Sequence, residues 1–127
     1  MEPYPFIVRE HGSGTRNAMD RFLAEHRFAP RITMEMSSNE TLKQAVMVGL
    51  GLRFLSLHTM GLELRSGLLQ LLDVQDTPVM RMCNLVHLQS RVLSPAAEAF
   101  RYFMLERGEA HLRTHDAELL PRPTTGP

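Results

Sequence analysis

Apolar and polar positions along this chain switch repeatedly between a strand-like and a helix-like period. Phe6-Ile7-Val8 is a short apolar run; it predicts a strand from Phe6 to Arg9 that leads into the glycine-rich turn Gly12-Ser13-Gly14. From Gly14 to about Arg27, the residues Ala18, Met19, Phe22, Leu23 and the amphipathic His26 fall on one helical face, with His26 at the edge of the core. Phe28-Ala29-Pro30 ends that helix, because the residue before a proline is pushed out of the helical region. Ile32, Met34 and Met36 then alternate with Thr33 and Glu35, the period of a strand with one buried face. Ser37-Ser38-Asn39-Glu40 fits a capping box, with Ser37 as the cap and Glu40 reaching back. Leu42, Ala45, Val46 and Gly49 mark the packed face of the helix that follows, and Gly49 and Gly51 bracket its end.

The second half repeats the pattern. Leu52 to Leu57 reads as an apolar strand, followed by His58, a short helix through about Ser66 and a stop at Gly67. Leu68 to Val74 reads as another strand, Gln75-Asp76-Thr77-Pro78 as a turn, and Met80 to Leu88 as a longer strand. Ser94-Pro95 is a cap with a first-turn proline, and Ala96, Ala99, Phe100, Phe103 and Met104 form the buried stripe of a last helix ending at Gly108. Residues 109–127 lose periodicity and read as a frayed tail. Strands alternating with helices predict an α/β fold with a mostly parallel sheet flanked by helices, whose ligands sit beyond the carboxyl ends of the strands.

At 127 residues the chain is long enough for one domain with a real core. Lys+Arg and Asp+Glu are both 14, and without a basic excess the chain is poorly suited to bind nucleic acid by itself. The single Cys83 cannot form an internal disulfide; its apolar neighbours Met80, Met82, Leu85 and Val86 predict an inert buried thiol. The nine methionines follow strand and helix spacings, which suits adaptable packing. Met1-Glu2-Pro3-Tyr4-Pro5 has neither a basic nor an apolar leader region, and the longest uncharged apolar stretch, Ala45 to Leu52, falls far short of the ~20 residues that span a bilayer. These features predict a cytoplasmic protein without a membrane partner.

Two loops carry candidate chemistry. A helix start exposes unpaired N–H groups and a partial positive charge, so it can hold a small anion without catalytic machinery. In the first loop Ser13 is the expected N-cap, which puts Gly14, Thr15 and Arg16 at the first three helical positions. A cation there opposes the helix dipole at a cost of roughly 0.3 to 1 kcal/mol. Two groups can offset it: Asp20, four residues on, or a bound carboxylate or phosphate shared by Arg16 and the hydroxyls of Ser13 and Thr15. In the second loop Ser37, Ser38 and Asn39 admit ordinary capping or ligand contact. The pattern Gly12-x-Gly14-x-x-Asn17 lacks the third glycine of a dinucleotide fingerprint, and no P-loop is present. No catalytic triad, nucleophile elbow, zinc spacing or carboxylate pair can be picked out, so the reading assigns no catalytic residue, no cofactor and no metal. His111 and His115 are four apart but fall in the expected tail, and His11, His58 and His87 have no readable partner.

Several blocks occur in a familiar order: Phe6-Ile7-Val8-Arg9-Glu10, Gly12-Ser13-Gly14-Thr15-Arg16, Met34-Glu35-Met36-Ser37-Ser38-Asn39-Glu40, Lys43-Gln44-Ala45-Val46 with Gly49-Leu50-Gly51, and Leu93-Ser94-Pro95-Ala96 with Phe100. From about Pro5 to Glu106 the chain resembles the C-terminal effector-binding domain of LysR-type transcriptional regulators, most of all those of carbon-fixation (RuBisCO) operons. The resemblance implies a fold like a type 2 periplasmic binding protein, with residues 1–88 as its second subdomain and crossover strand, 89–108 as the last helix of the first subdomain, and 109–127 as a tail. It implies that Ser13, Gly14, Thr15 and Arg16, with Ser37, Ser38 and Asn39, line one wall of the effector cleft. The implied effector is a small anionic metabolite, a phosphorylated sugar or a nicotinamide nucleotide. The surface from Ile32 to Leu50 would pair head to tail with another subunit. No winged helix-turn-helix precedes Met1, so DNA would be bound only through a domain outside this chain. His11 stands where the family commonly has proline, and Cys83-Asn84-Leu85 replaces a more usual aromatic stretch. A periplasmic-type small-anion or solute-binding protein is the alternative reading; an enzyme acting on a phosphorylated substrate comes third.

Overall fold

The computed structural model describes residues 4–120, so the readings that fall on 1–3 and 121–127 lie outside the described residues. The chain divides into two units, Met1–Val79 and Met80–Pro127.

The first unit is built on one β-α-β-α run: β1 (Pro5–Arg9), α1 (Gly14–Glu25), β2 (Arg31–Met36) and α2 (Asn39–Met47). β1 and β2 pair in parallel, from Pro5 opposite Arg31 to Arg9 opposite Met36, with an irregularity where Thr33 is passed over. Parallel neighbours need a crossover, and α1 supplies it. Side chains alternate across a strand, so Ile7 and Val8, both buried, serve opposite faces. Ile7 packs with Leu42 and Ala45 of α2, and Met34, Met36 and Val46 close around them. Each fully buried aliphatic side chain here is worth about 1.5–3 kcal/mol. α1 contributes buried Met19 and Phe22, as its spacing requires, and contacts β1. Its C-cap, His26, sits at the core edge: Nδ1 lies 2.8 Å from the Phe22 carbonyl and Nε2 2.9 Å from Asp76. The Asp76 carboxylate, and then the carbonyl, favour the protonated ring and raise its pKa.

Beyond α2 the chain departs from the pattern. Gly49 takes the left-handed conformation (φ 82°) that closes the helix. Leu52 alone bridges to β1, donating to the Pro5 carbonyl (2.8 Å) and accepting from the Ile7 N–H (2.9 Å), so the strand expected from Leu52 to Leu57 shrinks to one position. A 3-10 turn (Leu57–Thr59) and the short helix α3 (Gly61–Arg65) follow, ending before Gly67. The strand expected from Leu68 to Val74 is irregular chain with Leu68, Leu72 and Val74 exposed. Apolar content alone does not make a strand: the backbone needs a neighbouring edge to pair with, and the run of side chains cannot report one.

The second unit corrects the sequence reading further. Met80 to Leu88 forms no strand, and Met80, Met82, Val86 and Leu88 are exposed. Cys83, expected buried, is an exposed free thiol. Helix α4 (Pro95–Phe103) starts as predicted, with the Ser94 hydroxyl accepting from the Ala97 N–H, but its apolar stripe is not buried: Phe100 and Phe103 are exposed. The helix does not stop at Gly108. A π-helical turn (Met104–Gly108) carries it into α5 (Glu109–Leu119), which replaces the expected frayed tail as far as residue 119. Gly108 lies under Met104, and an exposed i,i+4 pair between Glu109 and Arg113 (2.7 Å) supports the continuation.

A Cβ on Gly51 would stand 2.5 Å from the Pro5 carbonyl oxygen and 3.2 Å from Ile7. Gly51→Ala must therefore push Leu52 off β1, and we expect a loss of about 1–3 kcal/mol in urea unfolding. Unchanged stability would show that the pairing at Leu52 contributes nothing.

Candidate functional site

The parallel register brings the carboxyl ends of β1 and β2 side by side, and each end runs into the N-terminus of a helix. In the first loop Gly12 turns the chain with φ 90°, a conformation that a side chain would strain. Ser13 is the N-cap in extended conformation, as expected. Its N–H donates to the Glu10 carbonyl (3.3 Å) while its side chain makes no capping bond. The hydroxyls of Ser13 and Thr15 are thus left to other partners. Arg16 is only 5 % exposed. Its Nε donates to both oxygens of Asp20 at 3.0 Å, and Nη1 donates to the Arg9 carbonyl (2.9 Å) and to Glu35 (3.1 Å). Nη2 lies 3.4 Å from His11 Nε2. Of the two offsets open in the sequence, the internal carboxylates are present: Arg16 binds the start of α1 to β1 and β2.

In the second loop the cap is Ser38, not Ser37. The Ser38 hydroxyl accepts from the Thr41 N–H at 3.3 Å, whereas Glu40 turns to Lys43 (3.0 Å) in place of reaching back. Ser37 therefore stays exposed with its hydroxyl uncommitted. Asn39, half-buried at the first position of α2, gathers two guanidinium groups: Arg9 Nη1 (2.9 Å) and Arg53 Nη2 (2.6 Å) both donate to its Oδ1. Arg9 also holds Glu10 through Nε (2.8 Å) and Nη2 (2.9 Å), a fork that brings the Glu10 carboxyl down to about 2. Arg53 has no such carboxylate among the described residues. Burial, then the charge of Arg9, lowers its pKa to about 10.

Arg9, Asn39 and Arg53 form one network that sequence reasoning found only at Asn39. The available signal was Arg53, a single cation set into the apolar run Leu50-Gly51-Leu52-Phe54-Leu55. Lys43 was missed as well. Buried on the packed side of α2, it donates to Glu63 (2.5 Å) and to the Thr59 carbonyl (3.2 Å), which fastens α2 to the segment around α3. Those carboxylates, Glu63 first, raise its pKa, and Lys43 in turn lowers that of Glu63. No group of His, Cys, Asp or Glu among the described residues could hold a metal ion, and no described helix is long and apolar enough to cross a membrane.

The LysR substrate binding domain matches residues 1–109. The chain belongs to that family. Among relatives, this LysR domain is 46 % identical to the HTH-type transcriptional regulator CfxR of Cupriavidus necator, over 95 % of the chain and 36 % of CfxR. It is 50 % identical to a RuBisCO operon transcriptional regulator of Allochromatium vinosum, over 85 % of the chain and 36 % of that protein. It thus spans about a third of the length of these relatives, which are named as regulators and not as solute-binding proteins. Among solved structures it is similar to the Synechocystis CcmR regulatory domain in complex with 2-PG, with a TM-score of 0.53, 25 % identity, and coverage of 80 % of this chain and 49 % of that one.

Arg16→Met keeps the bulk of the stem and removes every polar contact of the head. Asp20 and Glu35 are each nearly half exposed and can rehydrate, so the cost falls below that of breaking a fully buried pair. We expect a loss of about 1–3 kcal/mol in urea unfolding of the LysR domain; wild-type stability would show that Arg16 braces nothing.

Proposed function

We propose that this chain is effector-sensing machinery of a LysR-type regulator of carbon-fixation genes, and that it binds a small, phosphorylated anion without chemical turnover. The observation that carries the reading is the shared edge of the two helix starts. The α1 start offers free N–H groups with the Ser13 and Thr15 hydroxyls, and the α2 loop offers the Ser37 hydroxyl. Donors of this kind suit the oxygens of a phosphate. The wall runs through Ser13, Gly14 and Thr15 on one side and Ser37, Ser38 and Asn39 on the other. Arg16 serves it through its charge and by fixing the loop. The solved relative's ligand, 2-phosphoglycolate, belongs to the same chemical class.

The relatives carry helix-turn-helix names, and DNA binding of the whole regulator would rest on such a domain. Ile32, Val48 and Leu50 are exposed apolar residues on the surface from Ile32 to Leu50, which suits pairing with a second subunit.

Calorimetric titration with 2-phosphoglycolate, a sugar bisphosphate and a nicotinamide nucleotide tests the reading. At least one should bind, and Ser13→Ala and Ser37→Ala should each weaken it about fivefold, the worth of roughly one hydrogen bond. Absence of binding, or equal binding by both variants and wild type, would contradict it.

A further inference from the structure

The Arg9–Asn39–Arg53 cluster is arranged unlike a structural brace. One guanidinium suffices to fix the Asn39 amide, yet two cations meet on its single oxygen and repel each other. Arg9 is neutralised by Glu10. Arg53 is not: no carboxylate among the described residues pairs with it, its Nε is buried without an acceptor, and its remaining bond, to the Asn39 carbonyl, is long at 3.4 Å. An unmatched cation at a half-buried position is costly unless something else supplies the negative charge. The cluster's place gives the direction. Leu52 pairs in parallel beside β1, so the chain at Arg53 runs toward the same edge as Arg9, and both head groups meet the first residue of α2.

We propose that Arg53, held on Asn39 beside the Glu10-paired Arg9, forms the cationic pole of the effector site and binds the phosphate monoester group of the ligand. This rests on the effector-binding reading above and deepens it. Arg53 supplies a charge that no carboxylate among the described residues matches, whereas the buried Arg16 is already met by Asp20 and Glu35. A planar guanidinium can present two N–H groups to one phosphate, which a lysine cannot match.

The test uses the 127-residue chain, with Arg53→Gln and Arg53→Lys variants, melted in sodium phosphate and in sodium chloride at equal ionic strength. The wild type should melt higher in phosphate, and the gain should vanish in Arg53→Gln and shrink in Arg53→Lys, corresponding to about tenfold or greater weakening for Gln. In chloride, Arg53→Gln should melt no lower than wild type, since relief of the repulsion with Arg9 offsets the lost bond. An equal phosphate response in all three proteins, or an Arg53→Gln variant whose melting falls equally in both salts, would overturn the proposal. Calorimetry with 2-phosphoglycolate separates the two levels: undiminished binding by Arg53→Gln overturns the cationic pole and leaves the effector reading standing, whereas no binding by wild type overturns both.

Discussion

The parallel pairing of β1 with β2 is the constraint on which the rest of the first unit depends. A parallel pair requires a crossover helix, and a second helix after β2 covers the opposite face. Both helices then begin at the same edge of the sheet. Two groups fix that edge. Arg16 reaches from α1 to the Arg9 carbonyl and to Glu35 of β2, while the Arg9 side chain reaches Asn39 at the start of α2. The backbone and the side chain of one residue thus tie both loops together.

This arrangement separates two uses of positive charge. Arg16 and Lys43 are buried, met by carboxylates, and spend their donors on holding elements in place. Arg53 is half-buried, and no carboxylate among the described residues meets it. A ligand-binding surface needs cations that are positioned but not neutralised, and the preorganisation is supplied by neighbours whose own charges are already satisfied. In the proposed site, the ion pairs around the loops would therefore hold the binding groups in place.

Much of this was legible in the residues. The period of α1, the alternation of Met34 and Met36, the Ser13 cap and the glycine stop at Gly49 are local signals, and local chemistry decides them. The family was legible through the order of the motif blocks. What failed depended on partners. The runs at Leu52–Leu57, Leu68–Val74 and Met80–Leu88 are apolar enough for strands, yet beyond Leu52 none pairs with a strand among the described residues. The burial of Cys83 and of the Phe100 face was inferred from neighbours in sequence, which cannot show what stands opposite. The cap lies at Ser38 in place of Ser37, and Glu40 pairs with Lys43. The convergence of Arg9 and Arg53 on Asn39 spans residues far apart in the chain and leaves no periodic trace.

The central claim is that the paired helix starts receive the anion. An amide chemical-shift map of the chain on addition of 2-phosphoglycolate tests this most directly. The account predicts the largest shifts at residues 13–16 and 37–39, with Arg9 and Arg53 following. Largest shifts in the second unit, around Phe103 to Thr114, with the two loops unmoved, would contradict it.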